Sequence, residues 1–252
     1  MCRHLAYLGP PVPLGRLLSE PEHSLVHQSW QPRRQRHGTV NADGFGVGWY
    51  ADGDPVPARY RRDRPLWGDP AFADLARVVR SGAVLAAVRD ATFAGSDGEA
   101  AAAPFASGPW LFSHNGALRD WPDSMAALAA GLPALDLLQL AARTDSALLW
   151  ALALHRLHQG DDLGTALAET VREAATASPG SRLNLLLTDG AAIAATAWGD
   201  SLWYLSDPGA GRVVVASEPH DDDPLWCEVP DRTLLTATRT RVALTPLKEI
   251  SP

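Results

Sequence analysis

Cys2 follows Met1 directly, and aminopeptidases remove Met readily before a residue as small as Cys. Once processed, the chain begins with a thiol and a free α-amine on the same residue. An unperturbed α-amine titrates near ~7.7–8.0 and a free thiol near ~8.5, so each is close to usable at cytosolic pH. An N-terminal amine that activates its own side-chain nucleophile is a known mode of covalent catalysis. Position alone is weak support, because a Cys at position 2 is more often incidental. The weight falls on the polar residues elsewhere in the chain.

Four segments carry residue types suited to such a nucleophile. Arg36–Tyr50 reads RHGTVNADGFGVGWY, with glycines where a turn leads into a strand. It lacks the GK[ST] ending and the following helix of a phosphate loop, so a Gly-rich hairpin is the plain alternative. Arg89-Asp90-Ala91-Thr92 closes an apolar run that begins near Ala83. An Arg there is either a surface ion-pair partner or a guanidinium fork for a carboxylate, with the Thr92 hydroxyl adding a hydrogen bond. Ser113-His114-Asn115-Gly116 is either a turn signal or a pair of oxyanion donors, the Asn amide and the Gly N–H. Arg143-Thr144-Asp145-Ser146 opens a helix. Asp145 there is either a helix cap or a carboxylate for a substrate ammonium group.

The elements that must position these residues follow from periodicity. Residues 2–8, 24–30, 44–50, 83–89 and 110–114 read as extended, as do 182–188, 192–198, 202–205, 212–216 and 241–244. Gly46 and Gly48 in the third of these permit close approach of another backbone. Helical spacing marks 72–80, 145–159 and 163–177, the second capped by Thr144 or Asp145 and ended by Gly160. Residues 128–140 read as short helices broken at Gly131 and Pro133. Asp189-Gly190 is a hairpin turn signal. Strands on both sides of a helical block predict a layered α+β domain with largely antiparallel sheets, without a linker to divide residues 1–252.

The 252 residues are enough for a sizeable core, and a net charge of -7 with pI ≈ 5.6 argues against a nucleic-acid binder. Two cysteines are too few for a disulfide framework, and Cys227 reads as a partly buried core or loop thiol. With neither a signal peptide nor a membrane span legible, the expected location is the cytoplasm. His220 with Asp221–Asp223 suggests a metal site less readily than a solvated acidic loop. His155 and His158 lack the HExxH context of a zinc enzyme.

Taken in order, an N-terminal Cys, HGxxNxDGxG, RxAT, HNG and TDS resemble the class II glutamine amidotransferase domain of the N-terminal nucleophile hydrolases. The resemblance implies a four-layer α/β/β/α sandwich with two mostly antiparallel sheets. It implies attack of Cys2 on a γ-glutamyl carbonyl, with Asn115 and Gly116 as the oxyanion hole. Arg89 and Thr92 are then expected to bind the α-carboxylate and Asp145 the α-ammonium, with His114 also in the substrate-binding set. No cofactor or metal is implied, and no obligatory protein partner. The chain departs from synthase-linked members in having Arg3 after the Cys, where many of them have Gly, and in the absence of a stretch long enough for a synthase. Water is therefore the expected acceptor. Leu66–Asp69, Arg182–Asn184, Thr196–Asp200 and Ala216–Pro219 with Asp221–Asp223 further resemble the γ-glutamyl hydrolases of ergothioneine synthesis. That likeness implies γ-glutamyl-hercynylcysteine sulfoxide as substrate. The rival expectations are a glutaminase subunit feeding ammonia to a separate synthase and an inactive binding protein.

Overall fold

The computed structural model describes residues 2–38, 40–91 and 98–247. In chain order the first half comprises β1 (Arg3–Pro13), α1 (Leu14–Leu18), α2 (Leu25–Gln28), β2 (Phe45–Trp49), β3 (Ala58–Arg62), α3 (Pro70–Val78), β4 (Arg80–Val88), β5 (Phe105–Ser107) and β6 (Trp110–Ala117). The second half comprises α4 (Ala126–Ala130), α5 (Ala134–Leu138), α6 (Asp145–His158), α7 (Leu163–Ala177), β7 (Arg182–Thr188), β8 (Ile193–Ala197), β9 (Trp203–Asp207), β10 (Arg212–Ala216), β11 (Trp226–Glu228), β12 (Thr233–Ala237) and β13 (Val242–Pro246).

Two sheets result, ordered β11-β9-β10-β1-β4-β2-β3 and β13-β12-β8-β7-β6-β5. Every pairing described is antiparallel. The two-residue period of a strand sorts its side chains between two cores. On β1, Leu5 and Tyr7 join Leu14, Leu17, Phe72 and Ala76 of α1 and α3. Ala6 and Leu8 turn the other way, onto Leu111 and Leu186 of the second sheet. On β7, Leu183, Leu185 and Leu187 pack under Leu149 of α6 and Leu167 of α7. The layers are therefore helix, sheet, sheet, helix. By the same alternation Cys2 and His4 share the face of β1 that looks towards the second sheet. A one-residue slip would bury Ala6 and Leu8 against the wrong layer and turn the thiol with them.

Most expected elements are present, including the helices on either side of Gly131 and Pro133. Thr144 is the cap of α6, its hydroxyl accepting from Ala147 N at 3.3 Å. Gly46 and Gly48 do lie under close neighbours, since a Cβ on Gly46 would strike the Ala103 carbonyl and one on Gly48 the Leu111 side chain. Three expectations are corrected. Residues 24–30 are not a strand, because the Ser24 hydroxyl accepts from His27 N and starts the short helix α2. The strand expected over 110–114 does not end at His114, since β6 continues through Asn115 and Gly116, opposite Asn184 and Leu183. Cys227 is exposed on the edge strand β11 rather than partly buried. The sequence also predicts a surface loop over 95–103 and a frayed end at 251–252, of which residues 95–97 and 251–252 lie outside the described residues. Among the described residues no helix is long and apolar enough to cross a membrane.

Candidate active site

The start of β1 brings the Cys2 thiol to the end of β4. Arg3 pairs with Val88, so Cys2 stands opposite Arg89, and its Sγ lies 4.0 Å from the Asp90 carbonyl oxygen. Burial raises the thiol pKa, against the lowering effect of the amino-terminal and Arg89 charges, while the Asp145 carboxylate raises it further. Arg89 and Asp145 thus both lie within electrostatic reach of one sulfur atom. A thiol with a raised pKa keeps its proton at neutral pH, so its attack on a carbonyl needs a proton acceptor.

The end of β6 faces the same region across the gap between the sheets. The Asn115 amide donates to Ser217 Oγ at 3.2 Å, and the same oxygen accepts from His4 N at 3.0 Å. One hydroxyl after β10 therefore ties the Asn115 side chain to the backbone two residues from Cys2. Each Asn amide nitrogen carries two hydrogens, and the second remains for a further acceptor. His4 Nδ1 lies 3.3 Å from Ser113 Oγ. Burial first, then the neighbouring His114 and Arg3, lower the His4 pKa to about 3, so this ring is neutral through the physiological range.

Gly116 is a steric requirement, since a Cβ there would collide with the Arg182 carbonyl and the His114 ring. His114 Nε2 lies 3.0 Å from that same carbonyl, and Nδ1 lies 3.0 Å from Ser146 Oγ. A carbonyl only accepts, so Nε2 carries a hydrogen, while Nδ1 shares a hydrogen bond with Ser146 Oγ, which also donates to Asp145 Oδ1 at 3.3 Å. His114, expected among the substrate-binding residues, thus has both ring nitrogens on protein partners. What it does here is dock the first turn of α6 onto β6. Arg182 is itself paired with Asp200 at 3.1 Å.

Docking α6 positions Asp145. Its carboxylate accepts from Ser146 N at 2.7 Å and from Leu118 N at 3.1 Å, so it is oriented without being the helix cap. The Arg89 loop is held from the other side by Asp43. Asp43 N donates to the Arg89 carbonyl at 3.0 Å, and its Oδ2 accepts from Ala91 N at 2.8 Å. Its carbonyl accepts from Arg89 Nη1 at 3.3 Å. Thr92 lies outside the described residues.

Several residues of this region were not singled out by their sequence signal. Asn41 and Asp43 were legible as the N and D of the HGxxNxDGxG motif, with no role attached to either. Asn41 is fully buried, and its amide donates to the Gln28 carbonyl and to Gln35 Oε1, both at 3.1 Å. Arg3 is also fully buried, with Nε donating to Gln35 Oε1 at 3.3 Å. Its two terminal nitrogens have no hydrogen-bond partner among the described residues. Burial lowers its pKa, opposed by Glu218 and Asp200. Glu218, also fully buried, accepts from Arg34 N at 2.7 Å and Arg33 N at 3.0 Å. Residues 33–35 are thereby fastened over the residue that follows the nucleophile.

The acids after His220 turn to separate partners. Asp221 accepts from the Trp226 indole at 2.7 Å, Asp222 pairs with Arg33 at 3.3 Å, and Asp223 with Arg212 at 3.5 Å.

The family described as "Glutamine amidotransferases class-II" matches residues 19–210. A Mycolicibacterium smegmatis protein named gamma-glutamyl-hercynylcysteine sulfoxide hydrolase is 44% identical over 98% of this chain and 100% of its own length. Among solved structures, a glutamine aminotransferase class-II domain protein from Silicibacter pomeroyi superposes with a TM-score of 0.70 at 26% identity, over 98% of this chain and 100% of that one. The glutamine phosphoribosylpyrophosphate amidotransferase of B. subtilis shares the fold, with a TM-score of 0.63 at 15% identity, over 98% of this chain and 49% of that one.

Proposed function

The chain belongs to the class II glutamine amidotransferases, and from that premise we propose that it is a γ-glutamyl amidohydrolase. Its substrate in this reading is γ-glutamyl-hercynylcysteine sulfoxide, which it cleaves to glutamate and hercynylcysteine sulfoxide. The observation that carries the chemistry is the pairing of β1 with β4, which sets Cys2 opposite Arg89 and its thiol 4.0 Å from the Asp90 carbonyl, with the Asp145 charge also acting on that thiol. A cation and an anion beside one nucleophile suit the two ends of an α-amino acid. The substrate assignment is supported by the full-length relative of that name.

The proposed reaction runs through a thioester, after removal of Met1 frees the Cys2 amine. Cys2 Sγ adds to the γ-carbonyl carbon while the α-amine takes the thiol proton. Asn115 Nδ2 and the Gly116 N–H hold the oxyanion. The C–N bond breaks as the α-amine passes its proton to the leaving nitrogen. Water then attacks the thioester, giving its proton to the same amine, and glutamate departs as the thiol is restored. His114 serves this site by holding α6, and Thr92 joins Arg89 at the α-carboxylate. Residues 1–252 act as one catalytic domain.

Two results test the reading. In a competition assay, the purified chain should cleave γ-glutamyl-hercynylcysteine sulfoxide with a kcat/KM well above that for glutamine, because part of the binding energy falls on the leaving group. A preference for glutamine would instead favour a glutaminase that supplies ammonia elsewhere. The second test concerns the glutamyl head. Arg89→Lys should lose roughly tenfold or more in kcat/KM, since an ammonium cannot reproduce a bidentate fork. Asp145→Asn should weaken inhibition by free glutamate while the melting temperature stays within a few degrees. Unchanged glutamate inhibition in both variants would remove them from the site.

A further inference from the structure

We propose that Trp30 and Trp67 form a subsite for the quaternary ammonium group of the leaving group. This inference rests on the substrate reading above, in which the hercynyl portion carries a trimethylammonium. The two indoles come from segments far apart in the chain, yet their ring centroids lie 5.6 Å apart at an interplanar angle of 88°. Both are unusually open for tryptophan, at 43% and 45% exposed. Two perpendicular, half-exposed indoles form an aromatic corner, and aromatic surfaces of this kind suit quaternary ammonium ions.

The corner is built rather than loose. His27 stacks on Trp30 with centroids 5.4 Å apart. Trp67 sits on a single 3₁₀ turn, Leu66–Gly68, anchored by buried Leu66. The turn ends at Asp69, which caps α3 through Ala71 N and Phe72 N and accepts from the Tyr60 hydroxyl. Trp30 follows Ser29, whose carbonyl accepts from Asn41 N at 2.6 Å. The charge around it also suits a cation. His23 lies next to His27, with centroids 6.0 Å apart, and a carboxylate oxygen each from Glu22 and Asp222 gathers within 4.8 Å of a ring nitrogen of His23. Arg33 offsets part of that charge through Asp222.

A chain of hydrogen bonds links the corner to the residue after the nucleophile. Arg3 Nε bonds Gln35 Oε1, that oxygen accepts from Asn41, and Asn41 holds the carbonyl of Ser29. The same segment continues to Asp43, which clamps Arg89. One stretch of chain therefore connects the glutamyl end of the site to the indole corner, past the residue that follows Cys2. A trimethylammonium there makes Trp30 and Trp67 specificity-determining residues.

Calorimetric titration of the purified chain with hercynine tests this. Hercynine should bind at least ~10-fold more tightly than its neutral tert-butyl isostere, because only the cation gains from the ring faces. Trp30→Leu and Trp67→Leu should each weaken hercynine binding by about tenfold, and Trp30→Tyr should restore most of the loss. On γ-glutamyl-hercynylcysteine sulfoxide, the Leu variants should raise KM with little change in kcat. No detectable hercynine binding, equal affinity for hercynine and the neutral isostere, or wild-type affinity in both Leu variants overturns the proposal. The isostere comparison needs only the unaltered chain, so a variant that fails to fold leaves the test intact. Failure of the substrate reading is seen separately, as a preference for glutamine in the competition assay.

Discussion

Cys2→Ala should abolish hydrolysis, with kcat lowered by ~10⁴-fold or more, the scale on which loss of a covalent nucleophile is felt. The thiol makes the only covalent bond between enzyme and substrate in the proposed reaction, whereas Arg89 and Asp145 are positioned by Asp43, Leu118 and Ser146. Binding of glutamate should therefore persist in the variant, measurable by calorimetry. Cys227→Ala, on the exposed edge strand, should retain near-normal rates. A chain carrying a non-removable residue before Cys2 should be as inactive as Cys2→Ala, because the amine that accepts the thiol proton is then an amide. The sign of the pH dependence follows from the raised thiol pKa. With the thiol protonated, the rate depends on an unprotonated amine, so kcat/KM should rise with pH through about 7–8. An active Cys2→Ala or an active blocked chain would end the mechanism.

Asn115→Ala should lower kcat by about 10²–10³-fold with a much smaller effect on KM, the signature of a donor used mainly in the transition state. The side chain also bonds Ser217 Oγ, so a purely structural loss has to be separated from a catalytic one. Ser217→Ala removes that bond and keeps the Asn115 amide. It should cost less than about tenfold. Equal losses in the two variants would mean that Asn115 acts only by holding the strand ends together. Gly116→Ala should fail more broadly, since its Cβ has no room beside the Arg182 carbonyl and the His114 ring. Its loss should appear in thermal stability as well as in rate.

The comparison of sequence with structure is most instructive at particular residues. The long helices α6 and α7 were legible because many apolar positions repeat on one face and their ends are marked by Thr144, Gly160 and Asp162. Residues 24–30 misled because Leu25, Val26 and Trp30 fit a strand as well as a helix, and one hydroxyl, that of Ser24, tips the balance. The expected end of β6 falls short, at His114, for a different reason. A turn signal is a statement about local backbone preference, and pairing with β7 on one side overrides it. Asp43 and Ser217 gave no individual signal, because each works through backbone groups whose positions depend on where β4 and β1 end.

By itself the sequence determined the chemical inventory. Those features are a thiol at the second position, Arg89 after an apolar strand, Asn115-Gly116 after another, and Asp145 opening a helix. The layering was implied by the family resemblance rather than by periodicity, since β1, β4 and β7 are apolar on both faces and the structure sorts their side chains between the cores. Only the tertiary structure decided which of these residues meet. Cys2 and Asp90 are 88 positions apart and become neighbours because β1 pairs with β4 in one register. Trp30 and Trp67 meet because α2 and the turn before α3 come together. The reason is physical. Periodicity is a property of a single segment, whereas register and docking are set by the joint packing of segments that have no local knowledge of one another.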